Sequence, residues 1–111
     1  MASTLAAQAY DDLVQEFLTE EGVTLSAERH LLVQRTLDQH TAFAFLKGDD
    51  LALWLPVQRT QDLIARGFAR PFTVNGHESE GIVLVGDTTL WSELAREAHE
   101  HMGEPPVGGQ S

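Results

Sequence analysis

Histidine offers the broadest chemistry in this sequence, because a neutral imidazole binds metal ions and exchanges protons near neutral pH. The chain contains five histidines. His99 and His101 lie two residues apart, so on a helix their side chains would point about 200° apart. A helical zinc site instead places two histidines four residues apart on one face. We therefore expect no metal site here, and we predict that His99 lies with Arg96 and Glu100 on a solvent-exposed helix face.

A second group of titratable residues consists of His77, Glu78 and Glu80, which follow a predicted turn. If the fold brought His30 or His40 beside them, an imidazole and a carboxylate over a cleft would form a small-molecule or metal site. Acid–base catalysis there would also need an apolar wall to shift a pKa. The simpler interpretation is a polar loop that stays in water, so these three residues are weak ligand or metal candidates.

Motifs for nucleotide binding and covalent catalysis are missing from the sequence. It contains neither the G-x-x-x-x-G-K-[ST] loop nor the G-x-G-x-x-G fingerprint. Ser79 and Ser92 lack the glycine-flanked setting of a nucleophile elbow. The absence of cysteine excludes disulfides, thiolate nucleophiles and cysteine-based zinc sites. We expect no catalytic residues and no cofactor.

The net charge of −10 is concentrated at the two ends of the chain. Residues 1–25 contain five acidic residues and no basic ones, residues 26–75 carry a net charge of +1, and residues 76–111 carry −6. Such a field repels phosphate backbones. We therefore expect no direct binding to nucleic acid.

Basic residues of the middle segment form the candidate surface for an anionic partner. Arg59 and Arg66 are seven residues apart on a predicted helix and share a face. Arg70 and Lys47 could join them through the fold. An acidic partner protein could dock there, or the acidic ends of a second copy in a homodimer. The alternative is an ordinary solvated helix face.

Apolar periodicity predicts three helices. Residues 3–18 place apolar side chains three and four residues apart after a Ser or Thr N-cap. Residues 57–66 form a second helix that ends at Gly67. Asp87 or the following threonine caps a third helix, whose apolar face starts at Trp91.

Short apolar runs predict the strands. Residues 41–46 and 51–55 are separated by a turn sequence and form a β-hairpin. Residues 81–86, bounded by glycines, form a buried strand. Residues 26–40 favour extended structure, and residues 71–78 are predicted to be a loop that contains an Asn-Gly turn.

These elements predict one α+β domain over residues 1–103. The simplest arrangement is a single antiparallel sheet flanked by helices, in the order α-β(2–3)-α-β-α. Trp54 and Trp91 are expected to meet in its core. Residues 104–111 are predicted to form a disordered tail.

Hydropathy indicates a protein that does not enter a membrane. No segment approaches the roughly 20 consecutive apolar residues that span a bilayer, and the N-terminus has no basic-then-apolar signal pattern. We therefore expect a cytoplasmic location.

Three packing motifs carry a family resemblance. They are the sequences at residues 49–56 (DDLALWLP), 63–72 (LIARGFARPF) and 91–98 (WSELAREA). In this order, they resemble the N-terminal domain family of the bacterial competence regulator TfoX and the MmcQ/YjbR-like small proteins. The resemblance covers roughly residues 10–102 and implies an α+β domain with a regulatory or protein-contact role. It implies no catalytic residues.

Three hypotheses for function follow. The leading one is a non-enzymatic protein-interaction or regulatory module. The second is a secretion-chaperone-like acidic adaptor, which would show a large exposed apolar patch beside an acidic rim. The third is a protein that binds a small molecule or metal through its histidines and carboxylates.

Overall fold

The computed structural model describes residues 3–103, which form three α-helices and six strands. In chain order these are α1 (Thr4–Leu18), β1 (Val23–Leu25), β2 (Leu31–Thr36), β3 (Gln39–Lys47), β4 (Asp50–Trp54), α2 (Val57–Ala65), β5 (Arg70–Val74), β6 (His77–Val85) and α3 (Trp91–Gly103). A single 3₁₀ turn, Thr88–Leu90, leads into α3. The predicted tail at residues 104–111 lies outside the described part of the chain.

All six strands belong to one antiparallel sheet in the order β1-β2-β3-β4-β6-β5. The predicted class, α+β with one antiparallel sheet and helices, is confirmed. The extended structure expected for residues 26–40 is confirmed by β2. The predicted loop at residues 71–78 is wrong, because most of it pairs as the hairpin of β5 and β6. Its Asn-Gly turn is present, with φ of 53° at Asn75 and 81° at Gly76.

Local sequence explains where each helix begins and what it buries. Ser3 Oγ accepts a hydrogen bond from the amide of Ala6 at 3.1 Å and caps α1. In α2, Leu63 is buried, but Val57 is 41% exposed because it lies in the first turn. In α3, Trp91 is buried and donates from Nε1 to the Val85 carbonyl at 2.9 Å. This bond satisfies the indole N–H that burial would otherwise leave unpaired.

Helices and sheet share one apolar core. The core takes residues from α1, α2 and α3 and from one face of the sheet only, as the strand registers show. The sheet residues of this core are Val23, Leu31, Val33, Phe43, Ala44, Leu51, Leu53, Val83 and Val85. Truncating one of its leucines to Ala typically costs about 2–5 kcal/mol. Within residues 3–103, all three helices contribute side chains to this core, and α2 also lines a cavity with Ile82, which pairs with Trp54 on the other face of the sheet.

A β-bulge in β3 decides which of its residues face the core. Leu31 pairs with Ala44 but Leu32 pairs with Ala42, so Phe43 is an extra residue opposite a single step of β2. Strict alternation would place Phe43 and Phe45 on the same face. The extra residue leaves Phe43 fully buried in the core and places Phe45 on the opposite face.

Within residues 3–103, none of the helices is both long and apolar enough to span a bilayer.

Candidate functional site

The predicted titratable group lies at the exposed start of β6. His77, Glu78 and Glu80 are all exposed. Glu78 and Glu80 line a cavity of about 130 Å³ against α2, which is smaller than the roughly 300 Å³ of typical ligand pockets. His77 does not line that cavity. In the described part of the chain, no three His, Asp or Glu side chains are grouped in a way that could hold a metal ion.

Other histidines are kept away from this group by the sheet. His40 lies on β3 and His30 immediately precedes β2, while His77 starts β6, so β4 separates β6 from both strands. His30 stacks instead on Phe45, with ring centroids 4.4 Å apart.

His99 lies in an apolar environment, so the prediction that it is solvent-exposed is wrong. Its ring packs against Phe17 at 6.0 Å and against Phe43 at 5.4 Å. Its Nε2 is buried and, among residues 3–103, has no hydrogen-bond partner. His99 lies between Ala95 and Met102 on α3, beside the apolar face of the helix, where it contacts both phenylalanine rings.

Two of the four candidate basic residues are engaged in ion pairs on the helix side. Arg59 of α2 donates from Nε and Nη2 to the two carboxylate oxygens of Glu97 on α3, at 2.9 and 3.0 Å. Asp62 accepts from both Arg59, at 3.1 Å, and Arg66, at 3.0 Å. The hydrogen bond to Glu97 raises the pKa of Arg59, with the nearby negative charges adding to the effect. This pair therefore joins α2 to α3.

Lys47 and Arg70 lie on the opposite side of the molecule. Lys47 is paired in register with Asp50, and Arg70 with Leu84. Arg70 forms an ion pair with Asp50. The four predicted basic residues therefore do not form one patch. Arg59 lies on α2 and Arg66 at its C-terminal cap, whereas Lys47 and Arg70 lie at the far face of the sheet.

That face of the sheet is the candidate functional surface. Its side chains point away from the three helices, as the cross-strand pairs show: Leu32 with Ala42, Phe45 with Ala52, Ala52 with Leu84, and Leu84 with Arg70. We call it the open face. It comprises Leu32, Ala42, Phe45, Ala52, Trp54, Phe72 and Leu84, with His30, Lys47, Asp50 and Arg70 at its rim.

Three aromatic rings dominate the open face. Phe45 on β3 lies 5.5 Å from Trp54 on β4 and 6.1 Å from Phe72 on β5, measured between ring centroids. The Phe45 and Phe72 rings meet edge to face at 87°, which is a favoured aromatic geometry. All three side chains are partly exposed.

A small residue under the rings, Ala52, allows this contact. Strands β4 and β6 lie between Phe45 and Phe72, so the two rings meet above the intervening residues Ala52 and Leu84. Ala52 is fully buried although it lies on the open face, because the neighbouring rings shield its single methyl group. A larger residue there would lift the aromatic cluster.

Basic groups flank the ring cluster. Lys47 Nζ lies 5.7 Å from the centroid of the Phe72 ring, a cation–π distance. His30 stacks on the other side of Phe45. Asp50, at the rim of this face, is already paired with Arg70.

Trp54 is where the sequence prediction fails most clearly. It does not meet Trp91 in the core, since it lies on the open face and outside the core cluster. The reason is alternation: Leu51, Leu53 and Leu55 point toward the helices, so Trp54 between them must point away. That signal was present in the sequence, whereas the outward position of Phe45 depends on the bulge and was not.

Comparison with known protein families, with characterised protein sequences and with solved structures gives no match.

Proposed function

We propose that this chain is a non-enzymatic protein-interaction module, of a regulatory or adaptor kind, and that the open face is its binding surface. The observation that supports this proposal is the cluster of Phe45, Trp54 and Phe72, partly exposed on the sheet face opposite the apolar core. This role agrees with the one implied by the resemblance to TfoX N-terminal and YjbR-like domains.

Aromatic residues in such a setting suit binding for physical reasons. Trp and other aromatic anchors supply large contact areas and dominate many binding hot spots, where truncation costs 2 kcal/mol or more. Because Phe45, Trp54 and Phe72 already contact one another, little side-chain freedom remains to be lost on binding. Burial of their exposed parts would release water from a contiguous apolar surface.

A secretion-chaperone-like adaptor is the second candidate, and the distribution of charge favours it. The open apolar face lies opposite a helix layer in which α1 carries Asp11, Asp12 and Glu16 and no basic residue. An adaptor of this kind would hold an extended partner segment on the apolar side while the acidic side keeps the complex soluble. Self-association through the same face is the related possibility.

Site-specific photo-cross-linking tests the proposed surface. A photoreactive phenylalanine analogue placed at Phe45 should form covalent adducts with another protein in cells. The same analogue at Leu18, which is 40% exposed and lies at the end of α1, is the matched control. The mass of the adduct distinguishes a second copy of this chain from a different partner.

Specific adducts at position 45 and none at position 18 would support the proposal. Adducts at position 18 alone, or at neither position, would contradict it. Light-scattering mass of the purified chain adds an independent measure of self-association.

A further inference from the structure

The basic groups around the open face identify the kind of segment that fits it. We propose that the open face binds a short extended protein segment in which apolar residues alternate with acidic ones; this inference rests on the function proposed above. The supporting arrangement is a compact group of side chains, in which His30 stacks on Phe45, Phe45 meets Phe72, and Lys47 lies over the Phe72 ring.

The size of this group sets the length of the segment. His30 stacks on Phe45 at 4.4 Å and Phe45 meets Phe72 at 6.1 Å, so these three rings span at most about 10.5 Å. Lys47 lies two residues from Phe45 on β3 and also approaches Phe72, so it lies beside this line. An extended chain covers the span in about three residues at roughly 3.3 Å per residue. A globular interface would need about 800 Å² on each partner, and a group of this size suits a segment better than a domain.

Charge sets the composition of the segment. The protein has a net charge of −10, yet the rim of the open face carries Lys47 and Arg70 beside Asp50. Arg70 and Asp50 neutralise each other, so the charge of Lys47 remains available beside Phe72. A carboxylate on the bound segment could pair with Lys47, while a basic segment would be attracted to the acidic helices instead.

Alternation follows from the extended conformation of the segment. A segment lying across a sheet in extended form points successive side chains to opposite sides. Every second residue can then contact Phe45, Trp54 and Phe72, and the intervening residues, together with the ends, can present carboxylates to the rim.

Three synthetic peptides of seven residues form the test. Each alternates Leu and Phe with one polar residue, which is Glu in the first, Gln in the second and Lys in the third. Trp54 fluorescence reports binding at the open face, since Trp91, the other tryptophan, is buried and hydrogen-bonded. A Trp54→Phe variant identifies the signal that comes from Trp54.

We expect the Glu peptide to bind about two- to five-fold more tightly than the Gln peptide at low salt, the range typical of one exposed ion pair. Lys47→Gln should abolish that difference, and Arg66→Gln, on α2, should preserve it. High salt should also remove it, because exposed charges are screened.

Several results would overturn the inference. Equal binding of the Gln peptide, tighter binding of the Lys peptide at Trp54, or no response to any peptide would each contradict it. Equal binding of the Gln peptide would leave the proposed interaction surface intact, which separates the two proposals. Vesicles of phosphatidylglycerol and phosphatidylcholine form a further arm, and a larger Trp54 shift with vesicles than with the Glu peptide would assign the face to an anionic membrane surface instead.

Discussion

Tyr10 has the most perturbed titration of the described residues. It is the single tyrosine of the chain, 2% exposed, and its hydroxyl donates a hydrogen bond to the Arg29 carbonyl. Burial raises the pKa of Tyr10 to about 12, although the Arg29 charge opposes the effect. The neutral phenol is therefore the form that the folded state favours.

This shift predicts a loss of stability at alkaline pH. The unfolded tyrosine ionises near pH 10, so its contribution is complete below that value and disappears as pH rises toward about 12. A shift of this size corresponds to roughly 2–3 kcal/mol of unfolding free energy. Urea titrations across that range should show a steeper loss for the natural chain than for Tyr10→Phe. Parallel losses in both proteins would contradict the prediction.

Individual side chains also show which burial could be predicted from the sequence and which could not. The apolar face of α3, with Trp91 and Leu94, followed from helical spacing and is buried as expected. The burial of His99 did not follow from helical spacing. This spacing identifies the centre of an apolar face, but it does not show whether side chains from other elements also cover a residue at the edge of that face. The burial of His99 depends on Phe17 and Phe43, which come from distant parts of the chain.

At the level of elements, the β5–β6 hairpin depends on its turn. Asn75 and Gly76 both have positive φ, the geometry of a type I′ turn whose twist matches that of paired strands. This conformation is accessible to Gly without penalty and is tolerated by Asn better than by most residues.

Gly76→Ala should therefore destabilise the fold by about 1–2 kcal/mol. The cause would be conformational, because no atom lies within 4 Å of the added methyl group. Asn75→Gly is the matched control and should be neutral to within about 0.5 kcal/mol. Chemical denaturation of the two variants measures both values. A neutral Gly76→Ala would mean that the turn tolerates another geometry.

Sequence patterns predicted which helices and strands exist better than they predicted which side of the sheet each strand residue faces. The hairpin of β3 and β4, the helix α2 and the helix α3 all follow from local periodicity and turn residues. The sequence could not predict every residue of the open face, because the bulge at Phe43 depends on pairing with β2. Within the loop predicted at residues 71–78, residues 71–74 belong to β5 because they pair with β6.

For the whole molecule, charge is distributed unevenly between the two sides of the sheet. Acidic residues of α1 and α3 lie on the helix side, where Arg59 and Arg96 pair with some of them. The open face is close to neutral. Repulsion within the helix layer opposes folding and also opposes contact between two copies on that side.

Salt should therefore stabilise the protein at neutral pH. Raising ionic strength from about 0.01 M to about 0.1 M shortens the screening length from roughly 30 to 10 Å, and we expect the melting temperature to rise by a few degrees. Thermal unfolding followed by circular dichroism measures the change. A fall in melting temperature would show instead that the ion pairs between helices outweigh the repulsion.

The bulge at Phe43 also constrains how this sequence can change over time. Before it, Thr41 and Phe43 face the core; after it, Ala44 and Leu46 do. The loss of one residue there would exchange inner and outer positions along part of β3, placing Phe45 in the core and a core side chain in solvent. The register of β3 therefore determines both the core and the proposed binding surface. A deletion of this kind would alter both at once, whereas a substitution can change one without the other.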